Sequence, residues 1–275
     1  MRNGLAEVAV ILPSIGRPSL SKALHSVYKQ DLVPKEIVVI DDSFHQKIEL
    51  IYGPTIRILR TGGGKGPSYS RNLGISQTKS RFIAFLDDDD IWLNNHLSFS
   101  TEIILKLNLD AHFSSANTRK GVRPKITISG NKDPLIEVYR NIKLFNSPYF
   151  LPLPGLVVKR EVTNHINFNE RLYDREDLWF IHKIYEFGFK IRQSNLPTIT
   201  VHENYRRKLS RSDIQVNLNW FYRLMTIDKL AAKKFLKYIA LRNEIFRLHV
   251  VRMFLLIKEL ISIKSVKNKQ VIFRD

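Results

Sequence analysis

Short apolar runs rich in β-branched residues alternate, through the first part of the chain, with stretches whose apolar positions recur every third or fourth residue. Glu7–Leu12 (EVAVIL) reads as a buried strand stopped by Pro13. Leu20, Ala23, Leu24, Val27 and Tyr28 then follow at helical spacing, with Ser19 placed to cap the helix. Glu36–Ile40 predicts a second strand ending in Asp41-Asp42-Ser43, and Thr55–Leu59 a third. A glycine-rich loop at 62–66 leads into a helix over Ser68–Gln77, and Arg81–Leu86 is the next strand. Leu93–Leu109 predicts a helix, Asp110–Ala116 and Leu156–Lys159 strands. Another helix opens at Asp174–Phe180 and runs through Phe187, stopped by Gly188. This alternation predicts an α/β layer with a largely parallel sheet, in which ligands bind beyond the carboxyl ends of the strands. Pro13–Arg17, Asp41-Asp42 and Asp87–Asp90 all fall at that edge.

The last of these clusters changes the picture most. Phe82 to Leu86 delivers four consecutive carboxylates, Asp87–Asp90, followed by Ile91-Trp92. Four adjacent negative charges at the end of a buried strand need a counter-charge. A hard divalent cation arriving with a phosphorylated ligand supplies one, and oxygen ligands suit Mg²⁺ or Mn²⁺. An exposed acidic turn or a loose calcium site would show the same run. The loop Gly62-Gly63-Gly64-Lys65-Gly66 fits neither a P-loop, which requires Ser or Thr after Lys, nor a G-x-G-x-x-G register. Local phosphate contacts and a plain turn both remain compatible with it. Glu176-Asp177 at a helix start is what capping and the helix dipole would select without any catalytic role.

Composition narrows the setting. The chain has 275 residues, is 44% hydrophobic and contains no cysteine, so disulfides and thiolate metal sites are excluded. The N-terminal apolar run Val8–Leu12 is too short for a signal peptide, and no segment reaches the length of a membrane span. The expectation is a cytoplasmic protein, or one peripheral at the inner face of the cytoplasmic membrane. The net charge is +18, and residues 206–275 hold 17 Lys/Arg against 5 Asp/Glu. That balance implies an anionic partner: nucleic acid, acidic lipid or a phosphorylated substrate.

Taken together, VAVILPSIGRPSL at 8–20, the helix end at Val27–Gln30, EIVVIDDS at 36–43, SRNLGIS at 70–76, RFIAFLDDDDIW at 81–92 and FNERLYDREDLWF at 168–180 resemble family-2 glycosyltransferases of the GT-A fold. The resemblance covers roughly residues 7–210. It implies a GT-A (Rossmann-like) catalytic domain over 1–211, with a nucleotide-binding part at about 1–117 and an acceptor-side part at about 118–211. A basic helical region follows over 212–275.

The resemblance also implies roles. Pro13 and Ile15 would lie against the nucleotide base, with Arg17 in the same loop and Asp42 reading a base edge. Arg71 and Asn72 would support the nucleotide pocket. In the DXD-like run, Asp88 would face the ribose and Asp89 the metal, although Asp87 with Asp89 is an equal reading of the register. Asp177 would be the base and Glu176 would position it or touch the acceptor. His202 would complete the metal shell if it is not simply structural. Tyr205–Arg211 would stabilise the departing diphosphate, or form a solvated basic loop.

The activity implied is inverting, metal-dependent transfer of a hexosyl-type sugar from a nucleotide-diphospho-sugar to a glycan or lipid-linked acceptor. By family habit this belongs to the synthesis of a cell-surface polysaccharide such as O-antigen, capsule or lipopolysaccharide. The helices of 212–275 either pack on the domain or a second subunit, or lie on an anionic membrane surface. Two other classes compete. A nucleotidyltransferase would ordinarily carry a basic Gly-rich signature near the first strand, which Pro13–Arg17 lacks. A nucleic-acid or polyanion binder on a catalytically degenerate scaffold would explain the basic tail, but an acidic quartet at the rim repels phosphate, which weighs against nucleic acid as a partner.

Overall fold

The computed structural model describes residues 7–44, 48, 56–128, 132–142, 149–172, 174–202, 214–240 and 257–258. The chain divides into two compact units, residues 1–134 with 150–203, and residues 135–149 with 204–275.

The first unit is built on one sheet. Strands β1 (Val8–Ser14), β2 (Glu36–Asp41), β3 (Ile56–Arg60) and β4 (Phe82–Phe85) form its parallel half in the order β3-β2-β1-β4. β1, β2 and β4 are almost wholly buried, as continuous apolar runs in a sheet covered on both faces should be. The remaining strands are β5 (Ile91–Trp92), β6 (Ala111–Thr118), β7 (Gly121–Arg123), β8 (Leu156–Lys159) and β9 (Ile191–Thr200). β8 runs antiparallel between β4 and β6, and β9 lies parallel to β6. β5 closes the order antiparallel to β9, and β7 folds back on β6.

Four of the eight pairings are therefore antiparallel, so the sheet is mixed rather than largely parallel. An apolar run such as Leu156–Lys159 encodes burial but not direction, and here direction is set by where the chain returns from. Because β8 is antiparallel to both β4 and β6, the carboxyl ends of β1, β2, β4, β6 and β9 share one edge.

Helices α1 (Leu20–Tyr28), α2 (Pro67–Ser76), α3 (His96–Lys106), α5 (Arg160–His165) and α6 (Glu176–Glu186) also belong to this unit; α4 follows below. α1 buries Leu20, Ala23, Leu24 and Val27. Ser19 does not cap it through its side chain; the Leu20 N–H is satisfied by the Arg17 carbonyl at 3.1 Å. α2 lies so close to β1 that a Cβ on Gly74 would come within 2.5 Å of Ile11 Cγ2. α6 ends as the sequence predicts: Gly188 has φ +79°, and its N–H donates to the Tyr185 carbonyl at 2.9 Å.

The second unit contains most of α4 (Pro134–Arg140), together with α7 (Ile214–Ile227) and α8 (Lys229–Phe235). Trp220, Phe221 and Leu224 are buried, and Met225 is only half-buried. Trp220 Nε1 donates to the Tyr139 hydroxyl at 3.1 Å, and Tyr139 meets the Phe235 ring edge-on at 5.5 Å. Asp228 caps α8 by accepting from the Ala231 N–H and pairs with Arg140. Among the described residues no helix is long and apolar enough to cross a membrane.

Candidate active site

The predicted clusters meet at the shared carboxyl edge. β1 ends at Ser14, β2 at Asp41 and β4 just before Leu86 and the acidic run, with neighbouring strands in register. Within the run, exposure alternates. The Asp88 and Asp90 side chains are turned inward, whereas Asp87 and Asp89 keep 34% and 26% of theirs exposed.

Two arginines supply the counter-charge that the sequence demanded. Arg17 reaches from the β1–α1 loop to Asp88 Oδ1 at 2.5 Å and lies 3.5 Å from Asp89 Oδ2. Ser14 Oγ donates to the other Asp88 oxygen at 2.7 Å. Burial raises the Asp88 pKa above the usual carboxylate range, although Ser14 and Arg17 work against it. Ile15 is about half exposed on the same loop, and Pro13 is half-buried within β1.

Arg71 is the second cation and the more consequential one. It is buried on α2 and forks between Asp87 Oδ1 and Glu176 Oε1, each at 2.9 Å. Its guanidinium also lies 5.3 Å from the centre of the Phe168 ring. Burial pulls its pKa down, but the two carboxylates outweigh burial and the value is raised. A planar fork of this size holds the two carboxylates within about 8 Å of each other. The acidic run and the start of α6 are thus parts of one network. Asp177, next to Glu176 in the first turn of α6, is half-buried and accepts from the Leu178 N–H at 2.7 Å. Arg175, before the helix, takes φ +61°.

Asn72 points away from this network: its amide donates to the Phe168 carbonyl and to Glu170, and its oxygen accepts the Phe168 N–H. The segment FNERL at 168–172 is thereby pinned to α2. Asp42 is also engaged internally. Its carboxylate accepts from the Thr61 hydroxyl and from the N–H groups of Lys65 and Gly66 at 2.9 and 2.8 Å. The glycine-rich loop therefore wraps a protein carboxylate with those N–H groups. Gly62, Gly63, Gly64 and Gly66 take positive φ, and the Phe44 ring lies where a Cβ on Gly64 would be.

His202 follows β9, and its backbone N–H donates to Asp90 Oδ1 at 2.9 Å. Among the described residues no three His, Asp or Glu side chains converge as metal ligands. The donor set still fits a divalent cation of the Mg²⁺ type, which is held by one or two carboxylates and takes its other ligands from phosphate and water. Asp87 and Asp89 are the carboxylates exposed for that. Tyr205–Arg211 lies outside the described residues.

Ser14 and Thr61, which hold Asp88 and Asp42, were not singled out from the sequence; hydroxyls at the end of a neighbouring strand carry no local signal. Asp133 and His182, buried and 2.7 Å apart, were missed for the same reason.

Comparison with known proteins identifies the family and the fold. The profile of glycosyl transferase family 2 matches residues 9–166. A UDP-Glc:α-D-GlcNAc-diphosphoundecaprenol β-1,3-glucosyltransferase of Escherichia coli is 34% identical over 107 residues, 37% of this chain and 42% of that protein. A GalNAc(5)-diNAcBac-PP-undecaprenol β-1,3-glucosyltransferase of Campylobacter jejuni is 28% identical over 212 residues, 69% of this chain and 63% of that protein. The matches thus span about half the length of these relatives. Among solved structures, S. aureus TarS 1-349 in complex with UDP-GlcNAc superposes with a TM-score of 0.65 at 20% identity, covering 93% of this chain and 81% of that one. This likeness shows a GT-A-type fold.

Proposed function

Because the chain belongs to glycosyl transferase family 2, we propose that it transfers a sugar from a nucleotide-diphospho-sugar to a hydroxyl of a glycan joined through diphosphate to a lipid. The observation that carries this reading is the Arg71 bridge, which ties Asp87 of the acidic run to Glu176, the neighbour of Asp177. The acceptors in the relatives' names, both sugars on undecaprenyl diphosphate, support the acceptor class.

In this reading Asp177 accepts the proton of the acceptor hydroxyl as its oxygen attacks the anomeric carbon. The bond from that carbon to the diphosphate breaks, the diphosphate leaves with the electron pair, and a single displacement inverts the configuration. Glu176, fixed by Arg71, positions Asp177. A divalent cation held by Asp89 with Asp87 or Asp88 would neutralise the leaving diphosphate. Pro13, Ile15 and Asp42 shape the nucleoside end: Ile15 through its exposed side chain, and Asp42 by fixing the glycine-rich loop.

The basic region 212–275 is assigned to an anionic membrane surface. Lys229, Lys233 and Lys237 recur every fourth residue and are exposed, beside Leu230, which is half exposed. Co-sedimentation with phosphatidylglycerol vesicles tests this; equal binding by a chain lacking 212–275 would refute it.

The deciding experiment is calorimetric binding and slow hydrolysis of a panel of nucleotide sugars with Mn²⁺, Mg²⁺ or EDTA, on wild type and Asp89→Ala. Metal-dependent binding of one donor, lost in the variant, is the expected result. Absence of binding to every donor would overturn the reading.

A further inference from the structure

The hairpin that follows β6 in the first unit carries a charge pattern that the reaction above does not use. Between Asp110 and Asp133 the chain has no acidic residue, whereas Arg119, Lys120, Arg123, Lys125 and Lys132 are basic. Four of these five cations fall within seven residues on and just beyond the β6–β7 hairpin. The hairpin is a defined structure: Ala116, Asn117 and Thr118 pair with Arg123, Val122 and Gly121. Its turn is fastened by the Thr118 hydroxyl, which donates to the Gly121 carbonyl at 2.9 Å and accepts the Lys120 N–H at 3.1 Å. Arg123 lies over the Phe150 ring at 5.1 Å, and Arg119, Lys120 and Lys125 are exposed. Two aliphatic side chains sit among them, Val122 at 40% and Ile126 at 52% exposure.

The hairpin's root is what gives this pattern a role. β6 ends on the same edge as the acidic run, and Asn117 accepts the Val201 N–H at 3.0 Å. The next residue, His202, donates its N–H to Asp90. The stem is therefore separated from the acidic run by two adjacent residues of one strand extension. At about 3.3 Å per residue, the cationic turn projects roughly 10 Å beyond Asn117. A cluster of like charges there raises the local concentration of an anion approaching the rim. Aliphatic groups between the charges suit a ligand that is anionic at one end and hydrocarbon beyond it.

We propose that the β6–β7 hairpin and the following segment to Ile126 dock the diphosphate of the lipid-linked acceptor. Arg119, Lys120 and Lys125 hold the phosphates, and Val122 and Ile126 meet the first carbons of the lipid. The proposal rests on the acceptor class given above, and names the part of the chain that recognises it. It makes the hairpin a specificity element: a sugar on a neutral carrier would enter the same rim without this contact.

The test uses the full chain and geranyl diphosphate as probe, with geraniol as the neutral control. Binding is measured for wild type, for the triple variant Arg119→Gln/Lys120→Gln/Lys125→Gln, and for Asp89→Ala. Wild type and Asp89→Ala are expected to bind the diphosphate equally, with an affinity that falls as salt rises. The triple variant is expected to lose on the order of tenfold to a hundredfold. Geraniol is expected to bind weakly and equally to all three. A single Lys120→Arg variant keeps the charge and should bind as wild type does, which separates charge loss from misfolding.

Equal binding by the triple variant and wild type would overturn the proposal. So would loss of binding in Asp89→Ala, which would put the probe in the donor pocket. If the triple variant loses phosphatidylglycerol vesicles but keeps geranyl diphosphate, the patch serves the membrane surface and the proposal also fails. Donor binding is read separately on the same proteins, so a failed donor assignment leaves the hairpin result standing.

Discussion

Replacing Arg71 tests the idea that one side chain joins the two halves of the site. Its side chain is 5% exposed and holds Glu176, 13% exposed, and Asp87, 34% exposed. Removing one member of a buried ion pair costs about 3–5 kcal/mol, because the remaining charge is stranded. Asp87 can turn to water, so its share is screened and the lower end applies, about 3 kcal/mol for Arg71→Met. In a protein of this size that corresponds to a fall in Tm of roughly 6–12 °C. Arg71→Lys keeps a charge but cannot fork, and should fall in between.

The assay is thermal unfolding of wild type, Arg71→Met, Glu176→Gln and the double variant. Glu176→Gln relieves the stranded charge, so the double variant should be more stable than the two single losses added together, by about 1–3 kcal/mol. Additive losses, or a Tm change below 2 °C, would refute the network, and with it the claim that Arg71 sets the spacing between the acidic run and Asp177.

Two further outcomes follow from the site and the core. Asp87→Asn, Asp88→Asn and Asp89→Asn separate the two registers of the acidic run. The exposure pattern predicts that Asp87→Asn and Asp89→Asn weaken Mn²⁺-dependent donor binding at least tenfold while Asp88→Asn does so less; the reverse order would show that Arg17 leaves Asp88 when donor binds. His96 and His112 are fully buried, and burial, first among the causes, lowers their pKa values to about 3 and about 4. Each is neutral when folded and protonates more readily when unfolded, so their contribution is complete above pH 6.5 and declines as pH falls towards those values. At pH 5.5 the loss is about 1.4 kcal/mol per histidine, which calorimetry of wild type against His112→Gln at pH 7.5 and 5.5 would detect as a smaller pH effect in the variant.

Much of this was legible in the sequence because its signals are local. The apolar runs Val8–Leu12, Ile37–Ile40 and Phe82–Phe85 gave three strands, and their polar ends gave the rim. What could not be read was pairing. Nothing in RNLG says that Arg71 will touch both Asp87 and Glu176, 16 and 105 residues away. Nothing in DDS says that Asp42 will be occupied by loop 61–66. The two-residue strand β5 and the hairpin strand β7 are too short to show a period, and β8 hid its direction.

The insertion of β8 beside β4 bears on how the chain is made. Phe82–Phe85 pairs on one side with β1, which precedes it, but on the other with Leu156–Lys159, about 75 residues later. At ribosomal speeds of roughly 5–20 residues per second, the partner emerges about 4 to 15 s after β4 does. During that interval the nascent chain presents an apolar strand edge with open N–H and C=O groups, a template for wrong partners. Synthesis of this protein should therefore depend on holding that edge apart from other chains until Val157 and Val158 arrive.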